Sequence, residues 1–247
     1  MKDKEICLVK RTNDTWGGIE KLEIERRKGT KGFLLNSMGT DHFPVKIARE
    51  LGFAVKWLPD YSSSIVAQNG FKLLHDLNSK INQVFVSEFD GKEALIIGSD
   101  GNIGQKVMKI AEGYGIDAIG YDIKDHNNDP ERMFRWLKNS KFIFFCCDLN
   151  PSSRDYFRIS HYQAMENKPL IINVVGRLEL LNFNRLVTSL ALGLVSGYAC
   201  GEIPDHPIRH RVDCIFTEHN GWKSIEAIDR RKEAQKKVWT ELLDVKV

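Results

Sequence analysis

Three glycines and one acid in this chain have the spacing of a phosphate-binding turn and a ribose acceptor. In Leu95-Ile96-Ile97-Gly98-Ser99-Asp100-Gly101-Asn102-Ile103-Gly104 an apolar run gives way to glycines, then to a helical pattern carrying Val107, Ile110 and Ala111. A pyrophosphate can approach a backbone only where no Cβ intervenes, and the exposed N–H groups of a helix N-terminus then bind the anion. Gly98, Gly101, Asn102, Ile103 and Gly104 are therefore candidate cofactor-binding residues. Asp122 ends the next apolar run, where a carboxylate can accept hydrogen bonds from the adenine ribose hydroxyls and would repel a 2′-phosphate. NAD is thereby favoured over NADP, with Lys124 weakening the preference slightly. The spacing is G-x-x-G-x-x-G, with Ser99 at the usual place of the first glycine and Asp100 inside the turn. The alternative is a glycine turn that merely connects strand to helix.

The surrounding pattern supplies the elements such a turn needs. Ala94–Ile97, Ala118–Tyr121, Phe142–Cys147, Leu170–Val175, Leu194–Ala199 and Cys214–Phe216 read as strands, most of them short apolar runs. Helical periodicity follows Gly101 as far as Gly113–Gly115 and recurs at Phe183–Leu192 and from about Lys223 to Leu243. Asp129-Pro130-Glu131 looks like an N-cap followed by proline at the first helical position. Strands spaced by helices predict an α/β fold, a Rossmann-type doubly wound parallel sheet. Earlier in the chain, Phe33–Leu35 and Ala54–Trp57 read as strands around a helix at Val45–Leu51, and Ile65–Val84 as one long helix. Residues 1–32 give one weak strand, Ile6–Val9, and a polar stretch whose Arg26-Arg27-Lys28 reads as a solvated turn. The expected division is a reduced N-terminal remnant over 1–57, a dinucleotide-binding domain over 58–222, and a helix at 223–247 packing back on the first part.

Composition narrows the function classes. The 247 residues are 42% hydrophobic and 28% charged, with a formal charge of +3, an ordinary balance for a globular protein and too small an excess to imply nucleic acid. No apolar signal core opens the chain, and its most apolar stretch, Leu186–Gly197, falls short of a membrane span. Cys7, Cys146, Cys147, Cys200 and Cys214 lack C-x-x-C spacing. Free thiols in a reducing cytoplasm are the simplest reading, with no metal site expected.

Several ordered motifs resemble the D-isomer-specific 2-hydroxyacid dehydrogenases, from about Lys31 to Leu243. Gly39-Thr40-Asp41 is similar to the family's G-x-D segment, and Leu149-Asn150-Pro151-Ser152-Ser153-Arg154 to the loop after its fourth nucleotide-domain strand. Ile172-Asn173-Val174-Val175-Gly176-Arg177 resembles the I-N-x-x-R-G turn, with glycine and arginine in reversed order. Thr217-Glu218-His219-Asn220-Gly221 resembles T-P-H-x-G/A. The resemblance implies hydride transfer between nicotinamide and the carbon of a small hydroxy or keto acid. It implies His219 as proton exchanger, Arg177 as the group binding substrate carboxylate and carbonyl, and Glu202, with Asp205 as alternative, as the histidine's acid. It adds Cys147, Val174 and Gly221 to the cofactor-binding set and implies a reduced substrate domain. It also implies a homodimer through Tyr61–Val84, whose Ile65, Phe71, Leu74 and Leu77 a lone helix would leave poorly covered unless they pack on the chain's own core. A non-catalytic NAD(H)-binding scaffold or redox sensor is the competing reading.

Overall fold

A computed structural model describes residues 6–9, 18–37, 39–40, 42–82, 86–122, 129 and 131–243. The chain divides into two compact units, one formed by Met1–Ser62 with Ser224–Val247 and the other by Ser63–Lys223. The first holds strands β1 (Ile6–Val9), β2 (Gly32–Leu35) and β3 (Ala54–Trp57) in one parallel sheet, with helices α1 (Gly18–Arg27) and α2 (Val45–Glu50). Phe33 and Leu35 pack with Leu22, Phe43, Ala48, Phe53 and Val55 into its core. The C-terminal helix, Ile225–Leu243, belongs to this unit. Arg230 Nε donates to the Tyr61 carbonyl at 2.9 Å, and Lys56 pairs with Glu241 at 2.5 Å.

Helix α1 corrects the reading of Arg26-Arg27-Lys28 as a turn. Arg26 and Arg27 close the helix and Lys28 follows it, paired with Glu25 at 2.9 Å. The helix buries only Leu22 and leaves Ile19 and Ile24 exposed, so it carries no apolar stripe to read. Basic groups in its last turn suit the negative end of its dipole. Asp41, from the G-x-D segment, and Lys124 lie outside the described residues.

The second unit is the doubly wound part. Its elements run α3 (Ser63–Ile81), β4 (Glu93–Ile97), α4 (Asn102–Gly113), β5 (Asp117–Tyr121), α5 (Arg132–Asn139), β6 (Phe142–Phe145), α6 (Ile159–Gln163), β7 (Leu170–Asn173), α7 (Phe183–Ala191), β8 (Gly197–Cys200) and β9 (Cys214–Phe216). The six strands lie in the order β5-β4-β6-β7-β8-β9, every neighbouring pair parallel. All four β6 side chains, Phe142 to Phe145, are buried because the sheet is covered on both faces. Each such burial contributes about 1.5–3 kcal/mol. From β4 the chain steps one way to β5, then returns to place β6 on the other edge of β4. That reversal opens a crevice at the carboxyl ends of β4 and β6, where this architecture binds ligands.

Two local expectations are revised here. Helix α5 begins at Arg132 with Glu131 as its N-cap and no side-chain cap from that residue, while the Asp129 carboxylate pairs with Arg135 at 2.5 Å. Phe71, Leu74 and Leu77 of α3 are buried with Phe144, Ile172 and Ala199 in the unit's own core. They pack on their own chain, the alternative named above, and need no second subunit to cover them. The exposed face of α3 is polar, with Ser64, Gln68 and a Lys72–Asp76 ion pair at 2.6 Å. Among the described residues, no helix is long and apolar enough to cross a membrane, and no group of three or more His, Cys, Asp or Glu could hold a metal ion.

Candidate active site

The glycine turn lies at the crevice. Gly98 leaves β4 with φ +86°, and its N–H donates to the Tyr121 carbonyl at 2.8 Å. A Cβ on Gly98 would stand 2.6 Å from the Cys147 backbone nitrogen, so β4 and the end of β6 approach as only glycine permits. A Cβ on Gly104 would collide with the Gly98 carbonyl oxygen, which seats α4 directly on the loop. Gly101 differs. It is the N-cap of α4 without a side-chain cap, and a Cβ there would meet only the Gly98 carbonyl oxygen, at 3.5 Å. The space over Gly101 and the first amides of α4, Asn102, Ile103 and Gly104, therefore fits an anion such as a diphosphate.

The extra residue of the loop is absorbed on the β5 side. Ser99 is tucked against Gly120, where a Cβ would lie 2.7 Å from the Ser99 hydroxyl. The Asp100 N–H donates to Asp122 Oδ2 at 3.1 Å, and the Asp100 carbonyl accepts from Gln105 Nε2 at 2.8 Å. Asp122 thus holds its carboxylate at the rim of the loop, one strand from the turn. Cys147 is half-buried beside it. Burial, reinforced by the Asp148 and Asp122 carboxylates, pushes its thiol up to about 12, which leaves it a packing group and not a nucleophile near neutral pH.

A second cluster forms at the carboxyl ends of β7 to β9. His219 Nδ1 and Glu202 Oε2 are 2.7 Å apart, with His219 on the segment after β9 and Glu202 two residues past β8. The Thr217 N–H donates to the Cys200 carbonyl at 3.1 Å and ties the histidine segment to β8. Of the two acids considered, Glu202 is the one at the ring, and Asp205 is exposed. Gly176, at φ +65°, underlies the imidazole: a Cβ there would be 3.2 Å from His219 Nδ1 and 3.3 Å from the Gly201 carbonyl oxygen. Arg177 is the next residue, half-buried, its carbonyl accepting from Asn173 Nδ2 at 2.8 Å. His219 and Glu202 are in direct contact, whereas the residue of the Gly176-Arg177 pair against the ring is the glycine.

Asn173, given no role beyond its place in the turn motif, and Gly120, read only as part of a strand, both shape the site. Asn173 is fully buried. Its Nδ2 donates to the Arg177 carbonyl and to the Tyr198 hydroxyl, and its Oδ1 accepts from the Gly176 N–H at 3.1 Å. Asn173→Leu strands the Gly176 amide and the Arg177 carbonyl, and is expected to destabilise the protein by about 2–4 kcal/mol from two or more buried groups. Chemical denaturation checks this, and a loss under 1 kcal/mol would mean that the turn is held by other contacts. Val174, next in the chain, is buried where α3 comes close: a Cβ on Gly70 would be 3.0 Å from its Cγ2.

Comparison with known proteins bears on the family and the fold. The family model described as D-isomer specific 2-hydroxyacid dehydrogenase, NAD binding domain, matches residues 61–221. A D-3-phosphoglycerate dehydrogenase of Methanocaldococcus jannaschii is 28% identical over 258 aligned residues, covering 92% of this chain and 47% of that protein. A D-lactate dehydrogenase of Escherichia coli is 24% identical over 188, covering 68% of this chain and 56% of the relative. The chain thus spans about half the length of these two relatives. In fold, it matches a D-lactate dehydrogenase from Aquifex aeolicus complexed with NAD and lactic acid at a TM-score of 0.83 and 17% identity, covering 97% of this chain and 83% of that one. An acyclic imino acid reductase in complex with NADPH and D-Arg gives the same TM-score at 22% identity, covering 98% and 84%.

Proposed function

The chain belongs to the D-isomer specific 2-hydroxyacid dehydrogenase family, and from that premise we propose that it is an NAD-dependent oxidoreductase of a small hydroxy or keto acid. The observation that carries this reading is the His219–Glu202 contact of 2.7 Å on the same sheet edge as an open glycine loop. Gly98, Gly101 and Gly104 with the α4 amides would hold the diphosphate, Asp122 the adenine ribose, and Cys147, Val174 and Gly221 would line the path towards the nicotinamide. When bound, the reduced nicotinamide supplies a hydride to the carbonyl carbon of the substrate. Glu202, against Nδ1, would hold His219 as the imidazolium, whose Nε2 delivers its proton to the carbonyl oxygen and leaves a neutral imidazole. In the reverse direction Nε2 takes the hydroxyl proton. The unit formed by Met1–Ser62 and Ser224–Val247 serves, in this reading, as the substrate domain.

A second reading has a specific observation in its favour. Where the family turn has arginine before glycine, this chain has Gly176 against the His219 ring, so the carboxylate clamp falls to Arg177 one residue later or is lost. With the clamp lost, the protein would be a dinucleotide-binding scaffold or redox sensor without turnover. Titration with NADH and NADPH, followed by energy transfer from the five tryptophans to the reduced nicotinamide, tests the first layer. NADH is expected to bind more tightly than NADPH, and Asp122→Ala to weaken NADH; an unchanged dissociation constant removes Asp122 from the site. A panel of 2-keto acids tests the second layer. NADH binding with no member reduced would select the scaffold reading.

A further inference from the structure

Asn69, on α3, projects its carboxamide into the second cluster. A Cβ on Gly221 would collide with Asn69 Nδ2, and a Cβ on Gly201 would stand 3.7 Å from the same nitrogen. Gly201 directly follows β8, and its carbonyl faces Gly176 under the His219 ring. The Asn69 side chain therefore fills the space that glycine at 201 and at 221 leaves open, two residues from the histidine. It makes no hydrogen bond to another described residue, while its neighbours in the site, Asn173, Glu202 and His219, are all engaged. Asn69 is only part-buried, and neither end of its amide is spent on another described residue. An unused amide beside two backbone positions stripped of side chains is an unspent donor and acceptor.

We propose that Asn69 hydrogen-bonds the carboxamide of the nicotinamide and so fixes which edge of that ring faces His219. The reading rests on the dinucleotide site proposed above. Asp122 marks one end of that site on β5, and strand order puts β8 four steps away across β4, β6 and β7. At about 4.8 Å per step, a dinucleotide crossing the loop at β4 with its adenine half at β5 carries its other half towards β8, where Gly201 and Asn69 stand. The adenine edge can also pair with an amide in both senses, but Asp122 draws that half to β5, so the group left to pair with Asn69 beyond β8 is the nicotinamide amide, NH2 to carbonyl each way. The primary assignment is to positioning the cofactor, since a ring free to turn about its glycosidic bond would present either face to the substrate.

Binding separates this from the proposal it rests on. Asn69→Ala and Asn69→Leu (the second keeping the bulk against Gly221) are titrated with NADH and with ADP-ribose, which lacks the nicotinamide. Both variants are expected to bind NADH about 5–10-fold more weakly, the loss of one or two net hydrogen bonds, with ADP-ribose affinity within about twofold of wild type. Equal weakening of both ligands would show a structural effect and overturn the assignment. Unchanged NADH affinity overturns it too, including the case in which only the KM of a carbonyl substrate rises and the amide serves the substrate. Failure of ADP-ribose to bind the unaltered protein would instead remove the dinucleotide site, and Asn69 with it.

Discussion

Replacing His219 by alanine is expected to lower kcat/KM for the substrate reduced most readily by about a hundredfold to ten-thousandfold, the range for a lost general acid, while the NADH dissociation constant stays within about twofold. The asymmetry follows from position. The imidazole is exposed, its Nδ1 lies 2.7 Å from Glu202 Oε2, and it rests on Gly176 without anchoring any strand. Its removal therefore takes away a proton donor and little structure. Glu202→Gln keeps a hydrogen-bond acceptor at the ring but removes the negative charge facing it, so an intermediate loss is expected. Steady-state kinetics beside fluorescence titration of the same preparations checks both. Turnover by His219→Ala within tenfold of the unaltered protein would mean that the proton comes from elsewhere.

The parts of this site that were legible in sequence are those in which one short segment carries both the structure and the chemistry. Gly98 to Gly104 could be read because strand, turn and helix are contiguous, and so could His219, whose threonine and glycine neighbours are local. What escaped depends on contacts between distant segments. Ser99, where glycine was expected, is accommodated by Gly120 on the next strand, and no spacing rule links the two. Asn173 read as part of a turn motif, yet its three bonds to Gly176, Arg177 and Tyr198 exist only once β7 and β8 are paired. Asn69 was one polar residue in a long helix until Gly201 and Gly221 came against it. Helix α1 was missed for the opposite reason: with Leu22 as its one buried residue, it has almost no hydrophobic pattern. The reversed Gly176-Arg177 order was visible at once, but its consequence, a glycine under the imidazole, needed the fold.

The glycine loop offers the sharpest separation of binding from folding. Gly101→Ala is expected to cost no more than about 1 kcal/mol of stability, the difference between glycine and alanine at an N-cap. Its φ of −71° and ψ of 162° suit any residue, and the new methyl meets only one oxygen at 3.5 Å. That methyl would nevertheless stand in the space a diphosphate must enter, so NADH affinity is expected to fall by more than tenfold. Gly104→Ala should lose both properties: its methyl collides with the Gly98 carbonyl and lies 2.7 Å from Ser99 Cα. Both obstacles are backbone, so the loop itself must move, at about 1–3 kcal/mol for overpacking of this kind. Thermal denaturation with NADH titration on the two variants distinguishes a cradle from a simple turn. In a turn that only joins β4 to α4, Gly104 would still be required for stability, but Gly101→Ala would leave the dissociation constant where it was. That result would take the diphosphate out of the crevice and leave the His219–Glu202 pair without a hydride donor to work beside.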